Sequence, residues 1–431
     1  MINNKALSEI CVTTTEECKL KIDSKLKEAF LLKAQNKKDL LKNLVFSDEE
    51  VKEYNYNKKI NSPNNSYLAA STDIPIIYLE EGTFYEDNFE ITFPVIIKGS
   101  DTIDSSGNHI SKTIVSVETK GPTIVSCHDC ENVELRNITF DRNSTSGIAV
   151  LFLDQNFKNG IVSQCRVIGT PGEPGTNQFC ALEVLNGASN ITFEENVVEG
   201  FHSGKYAAGI GFIFGRDIII KNNKIDGLDS TGNGIEGLIY GPGTFEGNDI
   251  KNCNCGIYEN QANLNITNNK CINNACGATL DHWSITLKNN NFKNNTVSLN
   301  SYDGFDATQN YWGTTNPTTL NFENSTPKLA PWFMDESMTT LSTPVSSITV
   351  TSSISLMYYG STLNMTASIS PSNPTISGVI WSVECGIKDS ASIDENGVLK
   401  SNSTADTVTV KATAKDMSGV IGTKTITILS V

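Results

Sequence analysis

Apolar and polar positions follow one short pattern that recurs through the middle of the chain. In six segments an apolar residue is followed by two polar residues, an asparagine, one further residue and another apolar residue, and a seventh segment carries a cysteine in the asparagine position. The register positions are 31, 27, 25, 21, 21 and 20 residues apart. This period predicts a fold of stacked coils. The register residues are Cys165, Asn196, Asn223, Asn248, Asn269, Asn290 and Asn310.

A second set of apolar residues keeps a fixed phase with the first. Each opens a short apolar strand 12 to 14 residues before the next register asparagine. One coil is therefore predicted to hold at least two strands, with alternate side chains facing a continuous core and solvent. The asparagines suit the bends, because their amides bond to nearby backbone, tolerate left-handed conformations and stack on like residues. The second set is Leu182, Ile210, Ile235, Ile257, Ala278 and Val297.

Both ends of the repeated region have sequences typical of a known family. Residues 76–86 and 89–99 form alternating pairs around a glycine bend and resemble the opening coil of pectin-lyase-like right-handed parallel β-helices. The segments 310–313 and 328–333 are rich in bulky aromatics and resemble the closing coil of parallel β-helix repeat proteins. The resemblance covers about residues 74–335. It implies an all-β fold of a kind that often binds or cuts polysaccharides.

The N-terminal residues 1–60 differ in kind from the coils. Leucine, lysine and alanine recur at helical spacing over 16–43, and Ser47 with Glu50 reads as a capping box that opens a second helix. We expect this segment to be a helical cap over the first coil or an attachment and oligomerisation segment. A linker rich in serine, asparagine and proline follows at 61–73. Cys11 and Cys18 could cross-link neighbouring molecules in an oxidising setting.

The C-terminal residues 348–431 follow a predicted linker at 336–347. Short alternating strands, regular turn residues and one tryptophan, Trp381, predict a β-sandwich with that tryptophan buried. The segments 345–350, 379–382, 391–398 and 408–414 resemble a bacterial immunoglobulin-like domain of group 2. The resemblance implies a spacer or an adhesive module, and the fold does not decide between them.

Composition limits which cellular compartments and which classes of partner are expected. The chain has 431 residues, 38% of them hydrophobic, and a net charge of −15. An acidic protein of this kind is not expected to bind nucleic acid or an anionic membrane surface. No membrane span is predicted, and no secretory signal is visible after Met1. We therefore expect an extracellular, virion, spore or cell-surface location that is reached by lysis or by dedicated secretion.

The cysteines are numerous but irregularly spaced. Among the eleven, Cys127 and Cys130 form the one CxxC motif, which lacks a second pair at zinc-ligand spacing. Cys165 and Cys271 occupy core or register positions and are expected to be small buried side chains. Cys253, Cys255 and Cys276 lie in bends of adjacent coils, where bridging is open to them.

The coil register predicts one outward-facing column. It comprises Glu183, Gly211, Glu236, Tyr258, Thr279 and Ser298. Glu183 and Glu236 would stand two coils apart, about 9 to 10 Å, at the upper limit for the carboxyl pair of an inverting glycosidase. The alternative is an ordinary solvated face. A lyase needs a cation beside its base, but we find no arginine or lysine set suited to this role, and arginine is scarce in the later coils.

Other residues suggest binding without catalysis. Tyr258, Asp281 and Trp283 are candidates for a sugar-stacking patch, and His282 lies between the last two. Two turns with the pattern Asp-Gly-X-Asp could hold Ca²⁺, although an Asp-Gly turn with its own local hydrogen bonds is the commoner explanation. No other cofactor is predicted. The aspartates are Asp226, Asp229, Asp303 and Asp306.

These observations favour a non-catalytic surface protein: a β-helical rod for structural display, adhesion or glycan binding within a larger assembly, such as a phage tail fibre or a spore appendage. Its expected partners are a glycan or cell-surface ligand and other subunits, including further copies of itself. A polysaccharide-degrading enzyme of the tailspike type and a self-assembling filament subunit remain alternatives.

Overall fold

A computed structural model of the chain describes residues 9–12, 74, 76–85, 88–117, 123–142, 147–168, 180–200, 208–227, 232–239, 242–259, 263–280, 284–402 and 405–430. It divides into two compact units, residues 1–286 and 287–431. In the first unit the coils contribute strands to three parallel sheets. We call these the first, second and third sheets, in the order in which the strands of the following coil enter them. One such coil consists of Cys180–Leu185, Ser189–Glu194 and Val197–Glu199.

The strands of the three sheets alternate along the chain. The first sheet holds Phe89–Ile91, Thr123–Cys127, Ile148–Leu153, Cys180–Leu185, the start of Ala208–Lys221, Asn233–Ile239, Cys255–Glu259 and Cys276–Leu280. The second holds Glu9–Val12, Ile76–Leu79, Val95–Lys98, Glu131–Arg136, Lys158–Ser163, Ser189–Glu194, the end of Ala208–Lys221, Pro242–Glu246 and Asn263–Thr267. The third holds Gly82–Tyr85, Thr113–Ser116, Thr139–Asp141, Arg166–Ile168, Val197–Glu199, Lys224–Asp226, Asp249–Lys251 and Lys270–Ile272.

The predicted apolar register of the coils is confirmed. Ile235 pairs with Ile257, and Ile257 pairs with Ala278, in successive parallel strands. All three side chains are fully buried. Inward side chains of neighbouring coils therefore stack by position, as the period of the sequence requires.

The register asparagines form a hydrogen-bonded column, as predicted. The backbone N–H groups of Asn196, Asn223 and Asn248 each donate to the side-chain oxygen of the next asparagine along the chain, with N···O distances of 3.0 Å. Their side-chain amides also donate to that oxygen and to a backbone carbonyl of the preceding coil. The column thus satisfies polar groups at a buried bend.

The left-handed conformation at these bends lies one residue away from where the sequence places it. The residue before each register position has positive φ, as in Glu195 (56°), Asn222 (56°) and Asn268 (59°). That residue turns the chain, so that the side chain of the register asparagine points inward and forms hydrogen bonds along the stack. Tight turns of this kind favour glycine or short polar residues, and Gly247 (67°) takes the position once.

The start of the chain is only partly described. Residues Glu9–Val12 form a strand parallel to Ile76–Leu79, with Cys11 opposite Tyr78. This strand extends the edge of the first complete coil, in a region where the sequence predicts a helical cap. The predicted helices at 16–43 and 47–50, and Cys18, lie outside the described residues.

A short antiparallel hairpin, Thr102–Ile103 with His109–Ile110, is inserted in an early coil. Its base is fixed by the buried carboxylate of Asp101, which accepts hydrogen bonds from the backbone N–H groups of Lys112 (2.6 Å) and Thr113 (2.7 Å) and from the Thr139 hydroxyl (2.7 Å). Among the described residues no helix is both long and apolar enough to cross a bilayer.

The second unit begins with further coil-like turns. The strand Thr286–Lys288 spans its first residues, Leu299–Asn300 pairs in parallel with Phe322–Glu323, and a short 3₁₀ turn forms at Pro317–Thr319. The asparagine column recurs here, because the Asn290 backbone N–H donates to the Asn310 side-chain oxygen at 2.9 Å. Trp312 and Trp332 are buried, in agreement with the aromatic ending that the sequence predicts.

One coil position in this region is predicted wrongly. Val297 does not open a strand; the strand begins at Leu299, which is fully buried, while Val297 is half-buried. Ser298, predicted to face outward, is only 3% exposed. The cause is a shift in phase: Leu299 occupies the core, and the Ser298 backbone N–H donates to the Asn321 carbonyl.

Two four-stranded sheets form the remainder of the second unit. One contains Ser347–Ser352, Thr362–Ser370, Val398–Ser401 and Ala391–Ile393; the other contains Leu356–Tyr358, Ile421–Leu429, Asp406–Ala414 and Val379–Glu384. Leu399, Val408 and Ile426 lie in their shared core. Trp381, predicted to be buried, is only partly buried and packs at the margin of this core, so aliphatic side chains fill the centre instead.

Candidate functional site

The predicted outward column is confirmed as a column of paired residues on the first sheet. Glu183 is opposite Gly211, Gly211 is opposite Glu236, and Glu236 is opposite Tyr258. Tyr258 is opposite Thr279 in the next strand. Since neighbouring strands are about 4.8 Å apart, the backbones at the two glutamates are about 9 to 10 Å apart.

This face is not the solvated surface that alternation predicts. In the strand Cys180–Leu185 both alternating sets of side chains are buried, whereas in the adjacent Ser189–Glu194 only the inward set is buried. Glu183 itself is 6% exposed. Part of the cover comes from the strand ends, because Cys180 folds over the outward face beside Gly211. The acidic column therefore lies in a partly closed environment.

Burial changes the acidity of both glutamates. Desolvation raises the pKa of Glu183 from 4.5 to about 7. Among the described residues, no donor is within hydrogen-bonding distance of its carboxyl group. The pKa of Glu236 is also raised by burial, but a hydrogen bond from Asn233 Nδ2 at 2.8 Å opposes the shift. Two carboxyl groups with different hydrogen-bonding environments thus flank one glycine, and pairs of this kind are where general acid and base roles are sought.

Gly211 lies between the two glutamates, and its lack of a side chain makes room for Cys180. A Cβ atom built there would lie 2.0 Å from Cys180 Sγ and 2.8 Å from Cys180 Cβ. The Cys180 thiol therefore occupies the volume that a side chain would fill. Its pKa is raised well above the ordinary value, first by burial and then by the charges of Glu183 and Glu236. A thiol in this state is a protonated, poorly nucleophilic neighbour of the two acids.

The same column extends upstream through residues that sequence reasoning missed. Leu151 is opposite Glu183, Ser126 is opposite Leu151, and Glu90 is opposite Ser126. The early coils do not carry the asparagine signal, so their phase could not be read from the repeat. The acidic character of the column is interrupted between Glu90 and Glu183 by a serine and a buried leucine.

A second polar cluster was also missed. The ligand atoms of His128, Asp129 and Asp154 all lie within 4.8 Å of one another. Asp129 and Asp154 occupy left-handed bends 25 residues apart, about one coil, which is the signal that could have paired them. Protein donors already engage the group: Asn156 Nδ2 donates to Asp129 Oδ1 at 3.1 Å, and the Asn156 N–H donates to Asp154 Oδ1 at 2.8 Å.

The described aspartates proposed for Ca²⁺ are likewise engaged by protein groups. Asp226 accepts a hydrogen bond from Asn252 Nδ2 at 2.8 Å and faces Lys251 Nζ at 3.3 Å. Asp303 accepts from the Thr326 N–H at 2.8 Å. Burial alone would raise the pKa of Asp306, but hydrogen bonds from Thr308 and nearby lysine charges outweigh it and leave it lowered. Asp229 lies outside the described residues.

Of the proposed sugar-stacking residues, the structure places one. Tyr258 is half-buried in the acidic column, next to Glu236. Asp281, His282 and Trp283 lie outside the described residues, so their place in a binding patch stays a prediction.

The structural cysteines are buried as expected. Cys165 and Cys271 are fully buried, and burial raises the pKa of Cys165 to about 12. In the CxxC motif, Cys127 is fully buried and burial raises the pKa of Cys130 to about 12. Thiols that resist ionisation react slowly as nucleophiles and bind metals weakly near neutral pH.

The fold and its stacked registers define the class of protein as a parallel β-helix. Residues 177–324 match the family described as "Right handed beta helix region". In addition, 87 residues are 40% identical to the tail tube protein pb6 of Escherichia phage T5; the match covers 20% of this chain and 18% of that protein. The chain thus matches less than a fifth of the length of that relative.

The chain also matches two solved structures. The A-module of the mannuronan C-5 epimerase AlgE4 from Azotobacter vinelandii is 14% identical, with 62% of this chain and 82% of that chain covered and a TM-score of 0.32. The tailspike protein gp49 of Acinetobacter baumannii bacteriophage Fri1, a capsular polysaccharide depolymerase, is 9% identical, with 82% and 73% covered and a TM-score of 0.31.

Proposed function

We propose that this chain is a structural component of a phage-tail-type surface assembly, and that its β-helix presents a glycan-binding face. The observation that carries the assembly role is the 87-residue segment that is 40% identical to a phage tail tube protein. A stack of parallel coils is a rigid element suited to display, since each coil is bonded to its neighbours along three sheets. The assembly would place the protein outside the host cell.

The glycan-binding part of the proposal rests on the outward column of the first sheet. Tyr258 offers a half-exposed aromatic ring for stacking on a sugar, and the carboxylate of Glu236 beside it can accept hydroxyl hydrogen bonds. Asp281 and Trp283, only a few residues beyond the next strand, would extend this patch. A flat run of coils matches the length of an extended polysaccharide.

A glycan array probed with the full chain tests this proposal. We expect binding to one class of acidic or neutral host polysaccharide, and a loss of about tenfold in affinity in Tyr258→Ala through the lost aromatic contact. Asn265→Ala, an exposed position on the second sheet, is the matched control and should bind as the parent does. Absence of binding by the parent chain, or undiminished binding by Tyr258→Ala, would contradict the proposal.

A second candidate function, glycoside hydrolysis of the tailspike type, is favoured by one specific observation. Desolvation raises the pKa of Glu183 to about 7, so that about half of this group carries a proton at neutral pH; burial also raises the pKa of Glu236, and the hydrogen bond from Asn233 opposes that rise. Glu183 would then protonate the leaving oxygen, and Glu236 would activate the attacking water. The backbone spacing of about 9 to 10 Å lies at the upper limit of the carboxyl separation, about 6.5 to 9.5 Å, of inverting enzymes.

Release of reducing ends separates the two candidates. Parent protein, Glu183→Gln and Glu236→Gln are incubated with host capsule or cell-wall glycans, with Glu246→Gln on the second sheet as the control. Hydrolysis predicts activity that falls by at least about 100-fold in both column variants and persists in the control. No release by the parent leaves binding without catalysis.

The flanking segments complete the proposal. We infer that 74–335 is the β-helical rod and that 348–431 is an immunoglobulin-like group 2 spacer or adhesive domain joined by the linker at 336–347. Residues 1–60 would attach the rod to further copies of the chain or to other subunits. Electron microscopy with and without reductant tests filament formation through Cys11 and Cys18: monodisperse particles in both conditions would exclude it.

A further inference from the structure

Two cysteines are aligned on neighbouring coils beside the acidic column. Cys255 is opposite Cys276 in the parallel pair Cys255–Glu259 and Cys276–Leu280. Paired residues of adjacent strands have backbones about 4.8 Å apart. This separation falls within the range of about 4.4 to 6.8 Å that a disulfide requires between Cα atoms.

The two side chains also point the same way. The Cys255 thiol donates to the Ile257 carbonyl at 3.2 Å, and the Cys276 thiol donates to the Ala278 carbonyl at 3.3 Å, so each bonds to the residue two positions further on. Both sulfur atoms lie 3.6 Å from the hydroxyl of Thr279. Two thiols that share one neighbour on one face need only side-chain rotation to meet.

Their burial differs in a way that suits stepwise oxidation. Cys276 is half-buried, whereas Cys255 is 2% exposed, so we expect a small reagent to react with Cys276 first. The nearby Cys253 and Cys271 are fully buried. Among the described residues, these thiols do not converge as a metal-ligand set; the group whose ligand atoms meet within 4.8 Å is the one at His128.

We propose that Cys255 and Cys276 are a modification site that forms a disulfide between two coils when the protein meets a low-molecular-weight disulfide such as oxidised glutathione. The Cys276 thiolate attacks one sulfur of the reagent, forming a mixed disulfide and releasing one glutathione thiol. Cys255 then loses its proton and attacks the Cys276 sulfur, and the second glutathione thiol leaves. The two protein thiols are oxidised, and one glutathione disulfide is reduced to two thiols.

The second step should set the rate. Burial, followed by the neighbouring Cys276, raises the pKa of Cys255 well above its ordinary value. The thiolate is the attacking species, so closure of the disulfide should be slow near neutral pH and become faster as pH rises. The site would remain reduced in a cytosol and close after release, and its existence does not depend on the glycan-binding proposal.

Peptide mapping tests the site directly. The full-length protein is titrated with oxidised glutathione, and its remaining thiols are alkylated in denaturant before digestion with trypsin. Cleavage after Lys251, Lys270 and Lys288 gives the peptides 252–270 and 271–288, each with two cysteines. We expect these two peptides to appear linked, with a combined mass lower by two hydrogen atoms.

Four single variants assign the bond, because each peptide carries an alternative cysteine. Cys255→Ser and Cys276→Ser should abolish the linked peptide, and Cys276→Ser should also lose the mixed disulfide with glutathione. Cys253→Ser and Cys271→Ser, the matched controls, should retain it. Thermal unfolding should show a midpoint about 5 °C higher for the oxidised parent than for the reduced parent, and no such shift in Cys276→Ser.

Some outcomes would overturn the proposal. One is a parent chain that yields no linked peptide at saturating oxidant and pH 9. Another is a linked peptide that persists in Cys255→Ser or Cys276→Ser while disappearing in a control variant, which would assign the bond to Cys253 or Cys271. Circular dichroism on each variant establishes that it is folded before oxidation.

Discussion

The asparagine column and the acidic column are two sets of polar residues stacked along the same coils. They differ in how far protein hydrogen bonds compensate for their burial. Asn223 is fully buried, and its side chain donates to Asn248 Oδ1 at 2.9 Å and to the Phe193 carbonyl at 2.9 Å. Its oxygen accepts from the backbone and side chain of Asn196. Glu183 is almost as buried, yet desolvation dominates its pKa.

The contrast distinguishes buried polar groups that stabilise the fold from buried acidic groups whose pKa is raised. A fully bonded amide is neutral, and it replaces the water it loses with protein partners. A carboxyl group without such partners holds its proton to a higher pH and weakens the fold when it ionises. Groups of the second kind, whose pKa is shifted by burial, are concentrated at the functional sites of proteins.

Breaking the asparagine column should have the largest effect. Asn223→Ala removes donors from two carbonyls and an acceptor from Asn196, so we expect a loss of about 4 kcal/mol in the free energy of unfolding. The exposed strand asparagine Asn265, changed to alanine, should lose less than about 0.5 kcal/mol. Denaturant titration measures both, and similar values would remove the distinction between the columns.

Removing the charge of Glu183, in the acidic column, should raise the free energy of unfolding at high pH. The folded pKa of Glu183, about 7, exceeds the unfolded value of 4.5, so the folded state binds more protons between these pH values. Stability contributed by the proton is therefore lost as pH rises through this window. At pH 8 Glu183→Gln should be more stable than the parent by up to about 3 kcal/mol, and at pH 4 the two should be equal.

Unfolding curves at the two pH values check this prediction. Exposed Glu246→Gln serves as the control and should change little at either pH. A Glu183→Gln variant that is less stable than the parent at pH 8 would show that the carboxylate is stabilised by groups beyond the described residues.

Adding a side chain at Gly211, where Cys180 already occupies the space, should have a smaller effect on stability. Gly211→Ala places a methyl group 2.0 Å from Cys180 Sγ, and we expect a loss of about 2 kcal/mol from overpacking. Cys180→Gly in the same chain should recover much of that loss, since it removes the clashing side chain. Thermal unfolding of the single and double variants measures the recovery, and its absence would place the strain elsewhere.

Much of the fold could be read from the sequence because stacked coils repeat their polar and apolar positions. The pairing of Ile235, Ile257 and Ala278 and the column from Glu183 to Thr279 follow from counting residues between asparagines. The prediction failed at Val297 and Ser298, where the last turns change phase and a new buried residue, Leu299, takes over. The early coils lack the register asparagine, so the repeat did not predict their phase. Glu90 and the cluster at His128 were therefore missed.

The sequence by itself determined the period of the stack, and with it which residues share a column, because a strand has only two faces and each coil must repeat its neighbour. Only the tertiary structure decided how those columns are solvated. Burial of the outward face of the first sheet, the raised pKa of Glu183 and the common orientation of Cys255 and Cys276 all depend on side chains from other coils. Such contacts are set by packing in three dimensions, which the spacing of residues along one chain does not encode.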